Sequence, residues 1–317
     1  MSQERTSKIG IIGAGSVGAT VAYACLIRGV SKEICLYDTD RTKVEAEVLD
    51  LNHGMQFVQM ASVCGSDDMQ VLSGADVIVI TSGGKQKGVQ TRMELAVGNA
   101  DMLKQLIPDL LRVAPNATLL MVTNPVDVLT YIALKLSGLP REKVFGSGTV
   151  LDSSRFRYLI AQKCKVAVQN VHAYIAGEHG DSEIPLWSSA TISNIPLAQW
   201  AVPGHGHLSA EDQQKIFFNV RTAGYQILRG KGVTNYAVAL AVSRVLEAVL
   251  HNEGRILPVS SLLTDYRGMS NVCLSIPCIV NRSGVEQPLP IPMSAAEETG
   301  LKASAEAITK VVRSLGF

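Results

Sequence analysis

The residues best suited to chemistry stand in the middle of the chain. His179 occurs in "AGEHGDSE", just beyond an apolar stretch, and Gly177 and Gly180 beside it allow a ligand to approach the backbone closely. A histidine there suits proton transfer near neutrality, although the same position also suits a purely structural imidazole. In "GTVLDSSRFRYLI", Asp152 and Arg155 lie three residues apart on an expected helix, so both side chains project from one face. An exposed ion pair would satisfy that spacing. The sharper reading has Asp152 orienting and charging His179 while Arg155 grips a carboxylate through two hydrogen bonds. Arg157, five residues from Asp152, should point elsewhere.

A second group of residues suits a phosphate-rich ligand. Gly13-Ala14-Gly15-Ser16-Val17-Gly18 is a G-x-G-x-x-G between an apolar strand and a helix, with Asp38 twenty residues beyond Gly18. The first glycine permits the tight turn, the second lets backbone approach a pyrophosphate, and the third lets helix and strand pack closely. The helix start offers unpaired N–H groups to the phosphates. Asp38 would accept hydrogen bonds from both ribose hydroxyls and repel a 2′-phosphate, so NAD is favoured over NADP. Gly13, Gly15, Val17 and Gly18 therefore form the expected cofactor set with Asp38, and Gly83 joins them from a later loop. Lys85 belongs to no phosphate loop of the G-x-x-x-x-G-K-[ST] type, whose frame is missing. His205 and His207, or His172 and His179, find no completing cysteine or carboxylate cluster, and no metal site is expected.

Short apolar runs alternate with helical patterns through the first half: strands over 8–12, 33–37, 61–64, 76–80, 118–122 and 143–145, and helices over 17–28, 41–51, 94–111 and 128–137. That rhythm predicts a Rossmann-type α/β fold, a doubly wound parallel sheet, with Asp40 capping the second helix. Asn124-Pro125 falls at the carboxyl edge of the fifth strand, where such sheets bind ligands. Beyond residue 147 the pattern becomes mixed: helices over 152–164, 210–228, 235–250 and 295–315, a strand over 171–176, and β-like segments over 256–263 and 272–280. The expected division is a dinucleotide domain over 1–147, including the loop 83–92, and an α+β substrate domain over 148–317.

Composition narrows the partners. Twenty-nine basic residues against 28 acidic give a net charge of +1, so no global field recruits nucleic acid or an anionic membrane. No apolar run approaches a membrane span, and the polar "MSQERTSK" start lacks a signal segment. The six cysteines, scattered and without a C-x-x-C pair, are expected as reduced core thiols. A cytoplasmic protein follows.

Taken together, "IGIIGAGSVG", "YD", "VTNPVDVLTY", "GSGTVLDSSRFRYL", "HAYIAGEHGDSEIP" and "GKGVTNYAVAL" occur in an order that resembles the lactate/malate dehydrogenase family, nearest its bacterial lactate-acting members. The resemblance implies that His179 exchanges the proton with Asp152 as its partner, that Arg155 clamps the substrate carboxylate, and that Arg92 polarises the carbonyl. It further implies that Asn124 and Thr234 line the substrate and nicotinamide region and that Val238 packs on the nicotinamide. "GGKQKGVQTR" matches the family's closing loop, and Gln86 occupies the position facing the substrate's variable group. A neutral amide there suits pyruvate and L-lactate; an arginine would suit the second carboxylate of oxaloacetate. Val89-Gln90 departs from the family's usual Gly-Glu. Arg157 and His172 match an anion site at a subunit interface where bacterial members bind fructose 1,6-bisphosphate, and a homotetramer is implied with it. With twelve residues before Gly13, no long N-terminal arm is expected to reinforce that assembly. The rival readings are a malate dehydrogenase and a catalytically silent NAD-binding protein.

Overall fold

The computed structural model describes residues 7–84 and 92–317, with backbone alone at residues 92 and 93. The first half alternates β1 (Lys8–Ile12), α1 (Ser16–Arg28), β2 (Glu33–Tyr37), α2 (Arg41–His53), β3 (Ser62–Ser66), β4 (Val77–Ile80), α3 (Arg92–Val113), β5 (Thr118–Met121), α4 (Val126–Ser137) and β6 (Val144–Gly146). β4, "VIVI", is buried throughout, as befits a parallel strand covered by helices on both faces. Helix boundaries follow local chemistry. Asp40 accepts the Lys43 N–H at 3.1 Å to start α2, and Gly29 ends α1 in the left-handed region at φ 62°.

The second half contains α5 (Val150–Cys164), β7 (Val171–His172), β8 (Ile175–Ala176), β9 (Ile184–Pro185), β10 (Thr191–Ile192), β11 (Ile195–Pro196), α6 (Ala210–Lys231), α7 (Tyr236–Leu250), β12 (Arg255–Leu262), β13 (Cys273–Asn281), β14 (Gly284–Pro288) and α8 (Ala295–Ser314). Ser209 with Asp212 and Ser294 with Glu297 form reciprocal caps at the starts of α6 and α8.

The large sheet runs β14-β13-β12-β6-β5-β4-β1-β2-β3. β1 to β6 are parallel in the doubly wound order, and β12 joins β6 antiparallel at Ser260 and Gly146, so strands of the second half extend the sheet of the first. The order reverses between β1 and β4, which opens a crevice at the carboxyl ends of these strands. The two faces carry separate apolar clusters, and a third, around Phe156, Ile160 and Trp200, fills the second half.

Two expectations need correction. The run 171–176 is two short strands in different sheets, β7 beside β10 and β8 beside β9. Polar side chains of α5 and its N-cap take backbone groups of the connection and of β8. Arg157 Nε donates to the Ala173 carbonyl at 2.8 Å, Ser153 Oγ accepts the Ile175 N–H at 2.9 Å, and Thr149 Oγ1, at the α5 N-cap, donates to the Ile175 carbonyl at 2.6 Å. Nor are all six cysteines free thiols: Cys35 and Cys64, register partners on β2 and β3, are joined in a disulfide, while Cys25, Cys164, Cys273 and Cys278 are free and buried.

Candidate active site

The glycine turn is built by steric exclusion. Gly13 has φ +101°, and a Cβ there would lie 2.8 Å from the Ser82 nitrogen; at Gly18 it would meet the Gly13 carbonyl oxygen at 1.9 Å. Gly15 differs. A Cβ at Gly15 would meet only Lys43 Nζ, at 3.7 Å, so its missing side chain opens space rather than relieving a clash within the protein. An open backbone at the start of α1 fits a dinucleotide pyrophosphate. Asp38 lies immediately after β2, where Oδ2 accepts the Ala14 N–H at 2.7 Å and Oδ1 accepts the Asp40 N–H at 3.1 Å. Lys43 Nζ approaches the same carboxylate at 3.6 Å. Val17 and Val238 pack on one apolar cluster, and Asn235 Nδ2 donates to Thr20 Oγ1 at 3.0 Å, bringing the segment of Thr234 and Val238 against α1.

Asn99 of α3 organises the mouth of the crevice: its Oδ1 accepts the Gly84 N–H and its Nδ2 donates to the Asn124 carbonyl, each at 2.8 Å. The Asn124–Pro125 peptide is cis, and a Cβ on Gly83 would strike Thr123 Cγ2 at 2.4 Å. Gln86 and the side chain of Arg92 lie outside the described residues.

Deeper in, three elements hold the histidine loop. Gly177 bridges to Ser275 of β13, the Glu178 N–H donates to Ser304 Oγ of α8 at 2.8 Å, and the His179 N–H donates to Asp127 Oδ2 of α4 at 2.7 Å. His179 Nδ1 then lies 2.5 Å from Asp152 Oδ2, while Arg155 donates through Nη1 to Asp152 Oδ1 at 2.7 Å. One buried carboxylate, 2% exposed, thus serves both cations. His179 Nε2 has no partner among the described residues.

The electrostatics follow from this arrangement. Burial works against a charged imidazole, but Asp152, with smaller help from Asp127 and Glu183, raises His179 to about 9. Burial likewise opposes the Asp152 carboxylate, yet His179 and Arg155 outweigh it and hold that group below its ordinary value. The resting site is therefore an imidazolium–carboxylate–guanidinium array at neutral pH. Such an array can present a proton from Nε2 and a guanidinium to a small carboxylate. Arg157 points away, with its guanidinium 4.7 Å over the Tyr174 ring, and exposed His172 follows on β7, adjoining the Ala173 carbonyl to which Arg157 bonds.

Residues 7–146 match the lactate/malate dehydrogenase NAD-binding domain, and residues 149–315 match the α/β C-terminal domain of the same family. The chain belongs to the lactate/malate dehydrogenase family. It is 50% identical over 314 residues to an L-lactate dehydrogenase of Bifidobacterium animalis subsp. lactis, covering 99% of this chain and 98% of that protein. An L-lactate dehydrogenase of Acetivibrio thermocellus is 44% identical over 308 residues, covering 97% of each. Among solved structures, a lactate dehydrogenase from a Medee basin deep-sea metagenome library superposes with a TM-score of 0.94 at 37% identity, covering 99% of this chain and 100% of that one.

Three groups at the site escaped the sequence reading: Asp127, Asn99 and Glu183. Asp127 follows Asn124-Pro125 closely enough that the acid in "NPVD" was the available signal. Glu183, four residues after His179, is 5% exposed, and its Oε1 is buried without a hydrogen-bond partner among the described residues. Burial, then Asp152, push its carboxyl up to about 8.

Proposed function

We infer that the protein catalyses the reversible, NADH-dependent reduction of pyruvate to L-lactate, the reaction that regenerates NAD at the fermentative end of glycolysis. The observation that carries this reading is the Asp152 carboxylate shared between His179 Nδ1 and Arg155 Nη1, with His179 Nε2 unpartnered among the described residues. The division of labour follows the domains proposed at 1–147 and 148–317. The first holds NAD through Gly13, Gly15, Val17, Gly18, Asp38, Gly83 and Asn124; the second supplies the proton and the carboxylate clamp, with Val238 against the nicotinamide.

NADH, when bound, supplies the hydride. Arg155 grips the pyruvate carboxylate, and Asn124 and Thr234 border the ketone. As negative charge develops on the carbonyl oxygen, His179 delivers the Nε2 proton to it and Arg92 stabilises the charge. Asp152 keeps the imidazolium oriented, and Asp127 fixes its backbone. In the reverse direction the same atom, deprotonated, accepts the hydroxyl proton of lactate. Gln86 faces the methyl group.

We place the protein in the cytoplasm as a homotetramer, with Arg157 and His172 forming an anion site for fructose 1,6-bisphosphate. No described helix is long and apolar enough to cross a membrane. The decay of NADH absorbance with each 2-oxo acid in turn tests the reaction: pyruvate must drive it, and indifference to pyruvate would refute it.

A further inference from the structure

The Cys35–Cys64 pair lies on β2 and β3, the strands that lead to Asp38, the residue proposed for the dinucleotide ribose. The two residues differ in burial: Cys35 is fully buried on β2, whereas Cys64 is half-buried on β3, an edge strand of the sheet. Their Cα atoms are 4.7 Å apart, and Glu33 Oε1 lies 3.6 Å from Cys35 Sγ. The register runs on from Cys35 and Cys64 through Leu36 and Gly65 to Tyr37 and Ser66, and the Asp38 N–H then donates to the Ser66 carbonyl at 3.3 Å. Asp38 in turn holds the glycine turn through the Ala14 N–H. The covalent link therefore sits two residue pairs before the contact that sets Asp38 against β3. In a reducing cytoplasm such a link is transient rather than structural.

We propose that Cys35 and Cys64 form a reversible dithiol–disulfide site, oxidised by peroxides, whose closed form pins the β2–β3 edge and tightens dinucleotide binding through Asp38. The chemistry balances without further reactants. The thiolate of Cys64, the less buried of the two, attacks a peroxide oxygen and becomes a sulfenic acid as hydroxide leaves. Cys35 Sγ then attacks Cys64 Sγ; its proton passes by way of Glu33 to the departing hydroxyl, which leaves as water. Two thiols lose two electrons, and hydrogen peroxide becomes two molecules of water. A thiol reductant reverses the step by exchange. The same three side chains place their donor atoms within 4.8 Å of one another, so a bound soft cation is the competing use of the reduced pair.

The inference rests on Asp38 serving the ribose, and the test separates the two claims. The full chain, treated with chelator and then with hydrogen peroxide or with dithiothreitol, is alkylated and mapped by peptide mass spectrometry, and NADH affinity is measured by fluorescence titration. The expected result is selective, dithiothreitol-reversible loss of alkylation at Cys35 and Cys64, with NADH bound about fivefold more tightly by the oxidised form, a modest coupling. Cys64→Ser binds like the reduced form and ignores peroxide; Cys35→Ser, in which peroxide oxidises Cys64 but no disulfide can close, keeps the affinity of the reduced form, which guards against a folding defect in one variant. Cysteines that stay alkylatable after peroxide overturn the proposal. So does a pair whose protection is removed by chelator rather than by dithiothreitol, which marks a metal site. Equal NADH affinity in the two forms overturns the coupling while leaving the cofactor reading intact, and failure of either form to bind NADH removes both.

Discussion

Asp152 Oδ2 stands 2.5 Å from His179 Nδ1 while Oδ1 of the same carboxylate receives Arg155. The proposed proton donor and the proposed carboxylate clamp are thus coupled through one residue. His179 is raised from 6.5 to about 9, so the pair's contribution to stability is fully present below pH 6.5 and is lost as pH rises through about 9. Pyruvate reduction, which consumes the imidazolium, holds through neutrality and declines toward that upper value; lactate oxidation climbs over the same interval. Asp152→Asn moves the decline to lower pH and lowers kcat by roughly 10²-fold at neutrality, near the low end for loss of acid–base support. It also frees Arg155, so pyruvate KM changes with it. A reduction profile whose alkaline limb stays in place in Asp152→Asn contradicts this coupling.

Gly15 and Gly18 should respond oppositely to the same added methyl group. At Gly18 it meets the Gly13 carbonyl at 1.9 Å, so Gly18→Ala costs about 1–3 kcal/mol of stability, the usual range for overpacking. At Gly15 the neighbourhood is open to 3.7 Å, so Gly15→Ala leaves the Tm of the NAD-free protein nearly unchanged while weakening NADH binding. Thermal melts with and without NADH distinguish the two, and equal loss of Tm in both variants would remove Gly15 from the cofactor surface.

Glu183 faces Asp152 and Arg155 of α5, His179 of its own loop and Arg221 of α6. Its carboxyl, raised from 4.5 to about 8, is neutral at pH 7 and ionises just above it, adding a negative charge where a substrate carboxylate must bind. Because the fold favours the protonated acid, it also loses stability as pH rises through that value. Wild-type pyruvate KM is expected to rise as pH climbs from neutrality through about 8, and Glu183→Gln to flatten the rise with little change in kcat at pH 7. Superimposable KM profiles would show that Glu183 does not face the substrate.

How much of this was legible in sequence depended on whether a residue acts through local or distant partners. The glycine turn, Asp38 and the caps are local patterns, and the period of each strand and helix marked β1 to β6 closely. Asp152 and Arg155 shared a helix face by spacing alone. By contrast, the hold on His179 comes from Asp127, 52 positions away, and from Ser304 beyond it, contacts that periodicity cannot register. The split of β7 from β8 was hidden for the same reason, since side chains of α5 decide it. The disulfide was missed because its cysteines are 29 residues apart and meet only when β2 and β3 align.

Arg157 and His172 carry the regulatory expectation. Fructose 1,6-bisphosphate should lower the apparent pyruvate KM in wild type by favouring a competent tetramer, and Arg157→Gln should abolish the response while leaving activity at saturating pyruvate. Removing Arg157 also takes a hydrogen bond from the Ala173 carbonyl, so Lys, which keeps the charge, serves as the control. Saturation curves that coincide with and without the bisphosphate across protein dilution would count against regulation.

The most direct test of the account is the ratio of kcat/KM for oxaloacetate to that for pyruvate, measured at matched NADH and pH in wild type and in Gln86→Arg. The wild-type ratio should lie well below one. On the proposed reading of Gln86, the introduced guanidinium pairs with the second carboxylate of oxaloacetate and finds no partner in pyruvate, so the ratio should rise roughly 10²–10⁴-fold. A wild-type enzyme that prefers oxaloacetate, or a ratio that does not rise in Gln86→Arg, would contradict pyruvate reduction as the function of this site.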